Sequence, residues 1–219
     1  MSDFLWSLVL RQTDAGSRQW LEEAAPRRGT PLSVIARRAA FAGAGRRLRG
    51  IQLSLAAEEP RLVRDLGIVD PDNWGLDRLA RAALLLRALE TVPSERHVAL
   101  VREVYLKGDE REQAAVLRSL SLLPDPGRFL EIGTDGCRTN VRDVFEAIAC
   151  ENPYPAAHFP EPAFNQLVLK AYFIGVPVLR ILGLDRRKTP ELRRMAADYA
   201  SERRAAGRPV PADIDLVME

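Results

Sequence analysis

Apolar residues recur at three- and four-residue spacing along most of the chain, and alternating apolar and polar runs are nearly absent. This pattern predicts an all-α protein. Strong helical runs follow Asp77, Pro93 and Asp109, and short turn sequences separate them. Helices of about three to four turns joined by short loops favour antiparallel helix pairs, arranged as a degenerate HEAT-like α-solenoid or as an irregular helical bundle.

Two predicted helices begin with the same pair of residues, a threonine followed by a proline. Thr30 precedes Pro31, and Thr189 precedes Pro190. A threonine side chain caps the free amides of a first helical turn, and proline suits that turn because its missing N–H has no partner there. We expect the second of these helices to end near Gly207.

The least regular segment of the chain spans residues 67–75 and contains Trp74. It is either a hinge between two halves or an ordered loop held in place by the tryptophan. Because apolar helices continue on both sides of it, we predict a single all-helical domain over residues 1–219.

Composition and charge narrow the classes of function. The 219 residues are 47% hydrophobic, which suffices for a sizeable core. The 32 basic and 30 acidic residues leave a net charge of +2, so we expect no nucleic-acid partner. No stretch approaches the roughly 20 apolar residues that cross a bilayer, so we expect no membrane insertion. Cys137 and Cys150 without a secretory leader indicate a reducing, cytoplasmic setting.

The richest mixture of functional side chains lies in residues 138–170. Arg142 and Glu146 are four residues apart on a helical pattern, which predicts an ion pair between them. Asn152 precedes a proline and is therefore biased away from helical geometry, so this helix should end near Cys150.

A proline-rich connection follows, with prolines at positions 153, 155, 160 and 162. We expect these prolines to hold the chain in an extended and stiff form. Such a loop would present Tyr154 and His158 in a fixed arrangement. The alternative is a rigid corner that packs its aromatic side chains into the core.

The helix that begins at Pro162 is apolar nearly all the way round, so we expect it to be a central helix. Lys170 is an exception within it. A lysine on a largely buried helix must reach solvent, pair with a carboxylate, or bind an anionic ligand. Glu146 or Glu151 would be the carboxylate. A structural pair between Lys170 and one of these carboxylates, and an ammonium that binds a ligand, both stay open.

Other site chemistries find little support in the residue spacing. His97, His158 and the two cysteines lack the paired spacing of a zinc site, so we expect no metal. Cys150, His158 and Glu151 form a possible nucleophile set, although nothing in their spacing supplies the geometry. The glycine-containing segment 41–47 lacks the lysine and the serine or threonine of a phosphate-binding loop, and we expect no cofactor.

Two segments, residues 138–171 and 189–211, resemble the EboA family of metabolite-traffic proteins. The resemblance covers residues 138–211 and is thin over the amino-terminal half. It is carried by Arg138, Asn140, Glu146, Asn152, Tyr154, Phe164, Asn165, Lys170, Asp198, Tyr199, Glu202 and Arg203.

The resemblance implies a soluble bacterial protein that is encoded with enzymes of a prenyltransferase and cyclitol-type pathway. Such a protein is associated with moving a metabolite precursor toward the periplasm. The resemblance carries no catalytic residues over to this sequence.

Our leading hypothesis is a helical binding or scaffold protein of a metabolite pathway. Its partner would be a small metabolite or a pathway enzyme, held in a polar pocket built from residues 138–170 and closed by Asp198 and Arg203. The candidate ligand-binding residues are Arg138, Asn140, Glu146, Glu151, Asn152, Tyr154, His158, Asn165, Lys170, Asp198 and Arg203.

Two alternatives from other classes stay open. The first is an enzyme in which Glu146 or Glu151 acts as acid or base beside His158 and Lys170. The second is a HEAT-like module that holds a nucleic acid or a protein along an arginine-lined face. That face would consist of Arg37, Arg38, Arg46, Arg47 and Arg49.

Overall fold

The computed structural model describes residues 1–26 and 34–219, with side chains in the second range from residue 38 onward. These ranges contain fourteen α-helices and no β-strand, which confirms the all-α prediction. None of these helices is long and apolar enough to cross a membrane. The helices are α1 (Ser2–Arg11), α2 (Ala15–Ala24), α3 (Val34–Leu48), α4 (Glu59–Asp65), α5 (Leu76–Leu89), α6 (His97–Lys107), α7 (Glu110–Ser119), α8 (Leu130–Gly136), α9 (Arg142–Ala149), α10 (Tyr154–His158), α11 (Glu161–Ile174), α12 (Leu184–Arg187), α13 (Pro190–Ala205) and α14 (Asp215–Met218).

Side-chain caps place two helix starts where the sequence predicts them. The Asp109 carboxylate accepts a hydrogen bond from the Glu112 amide, and Glu112 in turn accepts one from the Asp109 amide. Thr189 accepts a hydrogen bond from the Leu192 amide at the start of α13. The helix start predicted at Thr30 lies outside the described residues.

The odd-numbered helices from α1 to α13 form a continuous series of packed neighbours. Helix α5 packs against α1, α3 and α7, helix α7 packs against α9, and α11 packs against α9 and α13. One hydrophobic cluster extends through these helices from Leu5 in α1 to Val217 in α14. Serial packing of this kind is compatible with a stack of helices, and the HEAT-like arrangement itself stays a prediction.

Among the helices whose side chains are all described, α5, rather than α11, is the most enclosed. Eleven of the fourteen residues of α5 are buried, against six of the fourteen in α11. Phe173 in the last turn of α11 is 76% exposed, so the prediction of a central helix there is wrong. An apolar circumference describes the composition of a helix, whereas its burial depends on which neighbours cover it.

The irregular segment 67–75 is an ordered connection. It contains a 3₁₀ turn, Pro71–Asn73, and Trp74 behind this turn is 3% exposed. Gly75 forms an isolated antiparallel bridge with Gln52. Of the two interpretations of this segment, the structure supports a loop held by the tryptophan.

We predicted that the proline-rich connection is extended. It is not extended throughout, because it contains the short helix α10. Pro153 precedes this helix with a φ of −73°, and Pro155 lies in its first turn. Proline is tolerated there because amides of a first helical turn have no partner within the helix.

Candidate functional site

A polar cleft of about 880 Å³ lies between four helices. Its walls are the carboxyl end of α3, the first turns of α5, one side of α7 and the first half of α9, together with Arg180. We call this cavity the polar cleft.

One face of α7 runs along the polar cleft. Glu110, Ala114 and Arg118 line the cleft at four-residue spacing, which places them on the same side of the helix. The small side chain of Ala114 leaves open space between its two long neighbours. The wall that α7 contributes along these three residues therefore has a charged side chain at each end and only a methyl group in the middle.

The lining is dense in both signs of charge, with seven arginines and seven acidic residues. Many of the acids have a local explanation, because α5, α7 and α9 each carry an acidic residue in the first turn. A negative side chain is favourable at that end of a helix, where the helix dipole is positive. Four of the seven arginines, Arg78, Arg81, Arg118 and Arg180, are not exposed, and we call the part of the cleft that they line the inner cleft. These four arginines need separate explanations.

Arg81 forms a buried wall of the polar cleft and is fully engaged by the protein. It is 4% exposed, its Nε donates to the Phe41 carbonyl at 3.0 Å, and its Nη1 lies 3.3 Å from an Asp77 oxygen. Burial lowers the pKa of Arg81, and the Asp77 charge opposes that effect. Gly45 of α3 lies against the guanidinium, and a Cβ there would overlap it.

Arg180 joins two carboxylates at the edge of the polar cleft. Its Nε and Nη2 donate to the two oxygens of Glu151 at 2.7 and 2.9 Å, and its Nη1 donates to Glu146 at 2.6 Å. The predicted ion pair is also present, since Arg142 Nε donates to Glu146 at 2.7 Å. Burial raises the pKa of Glu146, but hydrogen bonds from Arg180 and Arg142 outweigh it and hold that pKa below its usual range.

Glu151 adopts a backbone conformation that is rare for a residue with a side chain. Its φ is +47°, and its amide donates to the Arg180 carbonyl at 2.9 Å. Left-handed geometry costs such a residue roughly 1–2 kcal/mol. The backbone bond and the two side-chain bonds to Arg180 together hold Glu151 in this conformation.

Arg118 and Arg78 are the arginines of the inner cleft that lack a carboxylate partner. Arg118 is half-buried and makes no hydrogen bond or ion pair with any described residue. Arg78 donates to the neutral carbonyl of Asn73 at 2.6 Å. Burial, and next the charge of Arg78, lower the pKa of Arg118. The charge of Glu151 opposes this effect. Both guanidinium groups therefore line the polar cleft without a carboxylate at ion-pair distance among the described residues.

Lys170 binds backbone carbonyls rather than a carboxylate. Its Nζ donates to the carbonyls of Cys137 and Thr139, at 2.6 and 2.5 Å. These carbonyls lie directly beyond the end of α8, where the helix dipole is negative and carbonyls lack partners within the helix. Of the alternatives that the sequence left open for Lys170, a pair with Glu146 or Glu151 is therefore not present.

We expect the substitution Lys170→Met to lower the free energy of unfolding by about 1–3 kcal/mol, because it leaves two half-buried carbonyls without a donor. Urea unfolding followed by circular dichroism measures the change. Lys107→Met is the matched control, since Lys107 pairs with Glu103 on the surface and should shift stability by less than about 0.5 kcal/mol. Equal effects of the two substitutions would contradict the structural role of Lys170.

Asn152 joins the ends of two helices. Its Nδ2 donates to the Leu117 carbonyl of α7 at 3.1 Å and to the Ala147 carbonyl of α9 at 2.9 Å. Its Oδ1 accepts a hydrogen bond from the Tyr154 amide at 3.0 Å. Tyr154 is fully buried and its hydroxyl donates to the Pro126 carbonyl at 2.8 Å. Both residues are engaged in contacts within the protein.

Two further candidates pack near the core. The His158 ring lies 4.8 Å from the Tyr154 ring, and burial lowers the pKa of His158. Asn165 is 2% exposed, and its Oδ1 has no hydrogen-bond partner among the described residues.

The remaining candidates lie on the surface. Arg138 and Asn140 are exposed. Asp198 pairs with Arg194 at 2.7 Å, and Arg203 donates to the Pro209 carbonyl at 3.0 Å. Of the eleven candidate residues, Glu146 is the one that lines the polar cleft. Whether the others contact a ligand stays a prediction.

The sequence arguments named Arg46 and Arg49 but missed Arg81, Arg118 and Arg180 of the polar cleft. Arg81 and Arg118 each follow apolar residues inside a helix, and a lone charge in such a run was the available signal. Arg180 carried no such signal, because it stands in a short irregular connection between α11 and α12.

The side chains of the enzyme hypothesis are engaged in three separate places. Glu146 and Glu151 bind Arg180, the His158 ring packs at a tilt against Tyr154, and Lys170 binds carbonyls beyond α8. Both cysteines are free thiols, and burial raises the pKa of Cys150 to about 12, which disfavours the thiolate. No group of three possible metal ligands occurs among the described residues.

The arginines of the third hypothesis do not form one continuous face. Arg38 donates to the Lys107 carbonyl and Arg47 stacks over Trp20, whereas Arg46 and Arg49 line the polar cleft. The side chain of Arg37 lies outside the described residues.

Comparison with known proteins adds one finding. A family model described as metabolite traffic protein EboA matches residues 1–219. No curated protein and no solved structure matches the chain.

Proposed function

Because this chain belongs to the EboA family of metabolite traffic proteins, we propose that it binds a small anionic metabolite of its pathway in the polar cleft. The observation that carries the proposal is Arg118, a half-buried guanidinium that lines the cleft without a protein partner among the described residues. Helix α9, from the stretch that the sequence singles out, supplies one wall through Asp143 and Glu146.

Burial of an unpaired charge is unfavourable. Removing a charged group from water costs several kcal/mol unless a counter-charge or hydrogen bonds replace the water. An anionic group of a ligand beside Arg118 would supply both. The cleft volume of about 880 Å³ also lies within the range of roughly 300–1,000 Å³ that is usual for small-molecule sites.

The remainder of the lining suits a polar ligand. Carboxylates such as Glu110 and Asp143 are acceptors for hydroxyl groups, while Arg46 and Arg49 at the exposed side add donors. A protein that holds a metabolite reversibly and leaves it unchanged accords with the family description of metabolite traffic.

We expect native mass spectrometry to detect a bound small molecule after the protein is incubated with the small-molecule extract of its source cells. Ala114→Phe should abolish the complex with that small molecule, because a phenyl ring would fill the space between Glu110 and Arg118 without changing any charge. Arg118→Met should weaken it by about tenfold or more, since hydrogen bonds to charged groups contribute about 1.5–3 kcal/mol.

Arg128→Met is the control for the loss of one arginine, because Arg128 is exposed and does not line the cleft. Unfolding curves of all variants separate lost binding from lost folding. A bound species that survives both Ala114→Phe and Arg118→Met would place the ligand elsewhere and overturn the proposal.

A further inference from the structure

The charges of the inner cleft fall into balanced and unbalanced groups. Arg81 pairs with Asp77, and Arg180 pairs with Glu146 and Glu151. Arg78 and Arg118 line the same cleft, and neither has a carboxylate within ion-pair distance among the described residues. Arg78 and Arg118 are therefore guanidinium groups without an ion pair, in a cleft whose seven arginines and seven acidic residues balance overall.

These two groups repel each other in the absence of a ligand. The Arg78 charge is, after burial, the largest influence that lowers the pKa of Arg118. A single negative charge would relieve only part of that repulsion. A doubly charged group with several acceptor oxygens would neutralise both guanidinium groups and accept hydrogen bonds from each.

On the basis of the proposed function, and to make its ligand more specific, we propose that the polar cleft recognises the dianionic phosphate group of a phosphomonoester through Arg78 and Arg118. A phosphomonoester carries about −1.5 to −2 charges near pH 7 and presents three acceptor oxygens. Guanidinium groups match that geometry with paired N–H donors.

The position of the two arginines sets the orientation of such a ligand. Arg118 stands in the last turn of α7, and Glu110 stands in the first turn of the same face. With its phosphate between Arg78 and Arg118, the ligand extends past Ala114 toward the carboxylates of Glu110 and Asp143. Those acceptors fit hydroxyl groups, so the ligand class is a hydroxylated phosphomonoester.

Isothermal titration calorimetry with glycerol 3-phosphate as the probe tests the inference. Dimethyl phosphate and acetate are single-charge probes, and each should bind at least about tenfold more weakly. Inorganic phosphate separates recognition of the free ion from recognition of the ester. If inorganic phosphate binds as tightly as glycerol 3-phosphate, the hydroxyl groups of the ester contribute nothing to binding, and the assignment of a hydroxylated ligand is wrong.

Variants assign the binding to the named residues. Arg78→Met and Arg118→Met should each weaken glycerol 3-phosphate binding by about tenfold to a hundredfold. Glu110→Gln removes a negative charge from the same cleft, so it should leave the affinity for inorganic phosphate, which has no hydroxyl-bearing carbon chain, equal or higher. Unchanged affinity in both arginine variants, or acetate binding as tight as that of glycerol 3-phosphate, would overturn the assignment.

The two proposals fail separately. A cell-extract ligand that lacks phosphate but is lost in Ala114→Phe would sustain metabolite binding in the cleft and refute the phosphate assignment. Absence of any cleft-dependent extract ligand, together with tight glycerol 3-phosphate binding, would sustain the phosphate site and refute the proposed function.

Discussion

Replacing Asn152 by leucine is expected to lower the free energy of unfolding by about 3–5 kcal/mol. The substitution leaves the Leu117 carbonyl, the Ala147 carbonyl and the Tyr154 amide without partners in the interior, and each orphaned group costs about 1–3 kcal/mol. Relaxation of the neighbouring backbone recovers part of that sum. Urea unfolding measures the change.

Asn152→Asp separates the hydrogen bonds from the shape of the side chain. The introduced carboxylate is close in size to the amide, but it donates no hydrogen bond and faces two carbonyl oxygens. Folding should therefore raise the pKa of this carboxyl. The variant keeps most of its stability below about pH 3.9, the unfolded value, and loses it as the pH rises through the folded value.

Stability differences from the wild type, measured at matched pH, should thus grow between about pH 4 and pH 7 for Asn152→Asp. Asn140→Asp is the control, because Asn140 is exposed and its side chain makes no hydrogen bond to a described residue. A pH-independent loss in Asn152→Asp, equal to that of the control, would show that Asn152 does not join α7 to α9.

The second large effect is expected for Arg180→Met, which should lower the free energy of unfolding by about 2–4 kcal/mol. Glu151 loses the side chain that binds both of its oxygens, and Glu146 keeps only Arg142. The backbone strain at Glu151 then lacks its compensating bonds. Calorimetric and urea unfolding measure the loss.

Arg194→Met is a matched control for Arg180→Met. Arg194 also binds two carboxylates, those of Glu191 and Asp198, but all three side chains are more than half exposed. Exposed ion pairs contribute roughly 0.2–1 kcal/mol, so the control should change stability little. Similar losses in both variants would contradict the idea that partial burial makes Arg180 important.

The contribution of Arg180 should also depend on pH. Because its hydrogen bonds help to hold the pKa of Glu146 below its usual range, this stabilisation is present above the unfolded value of about 4.3. It is lost as the pH falls through the lower folded value. The difference in stability between the wild type and Arg180→Met should therefore shrink on acidification.

Features that depend on near neighbours in the chain were predicted correctly. The caps at Asp109 and Thr189, the end of α9 before Asn152, and the ion pair between Arg142 and Glu146 all follow from residues within a few positions of one another. Such features require no knowledge of how the helices pack.

Contacts between distant segments were not predicted. The sequence left solvent, a carboxylate and an anionic ligand open for Lys170, yet its ammonium binds the carbonyls of Cys137 and Thr139, more than thirty positions away. A half-buried ammonium needs a partner, but the amino-acid sequence does not say whether that partner is a side chain or the end of another helix.

The sequence by itself therefore determined the helical class and several helix boundaries, and it identified a family resemblance over residues 138–211. Only the tertiary structure decided that the polar cleft draws on residues from Ala42 to Arg180, and that Arg78 and Arg118 line it without an acidic partner. The physical reason is the range of the interactions. Helix formation is governed by spacing over a few residues, whereas a cleft is formed by side chains that only packing brings together.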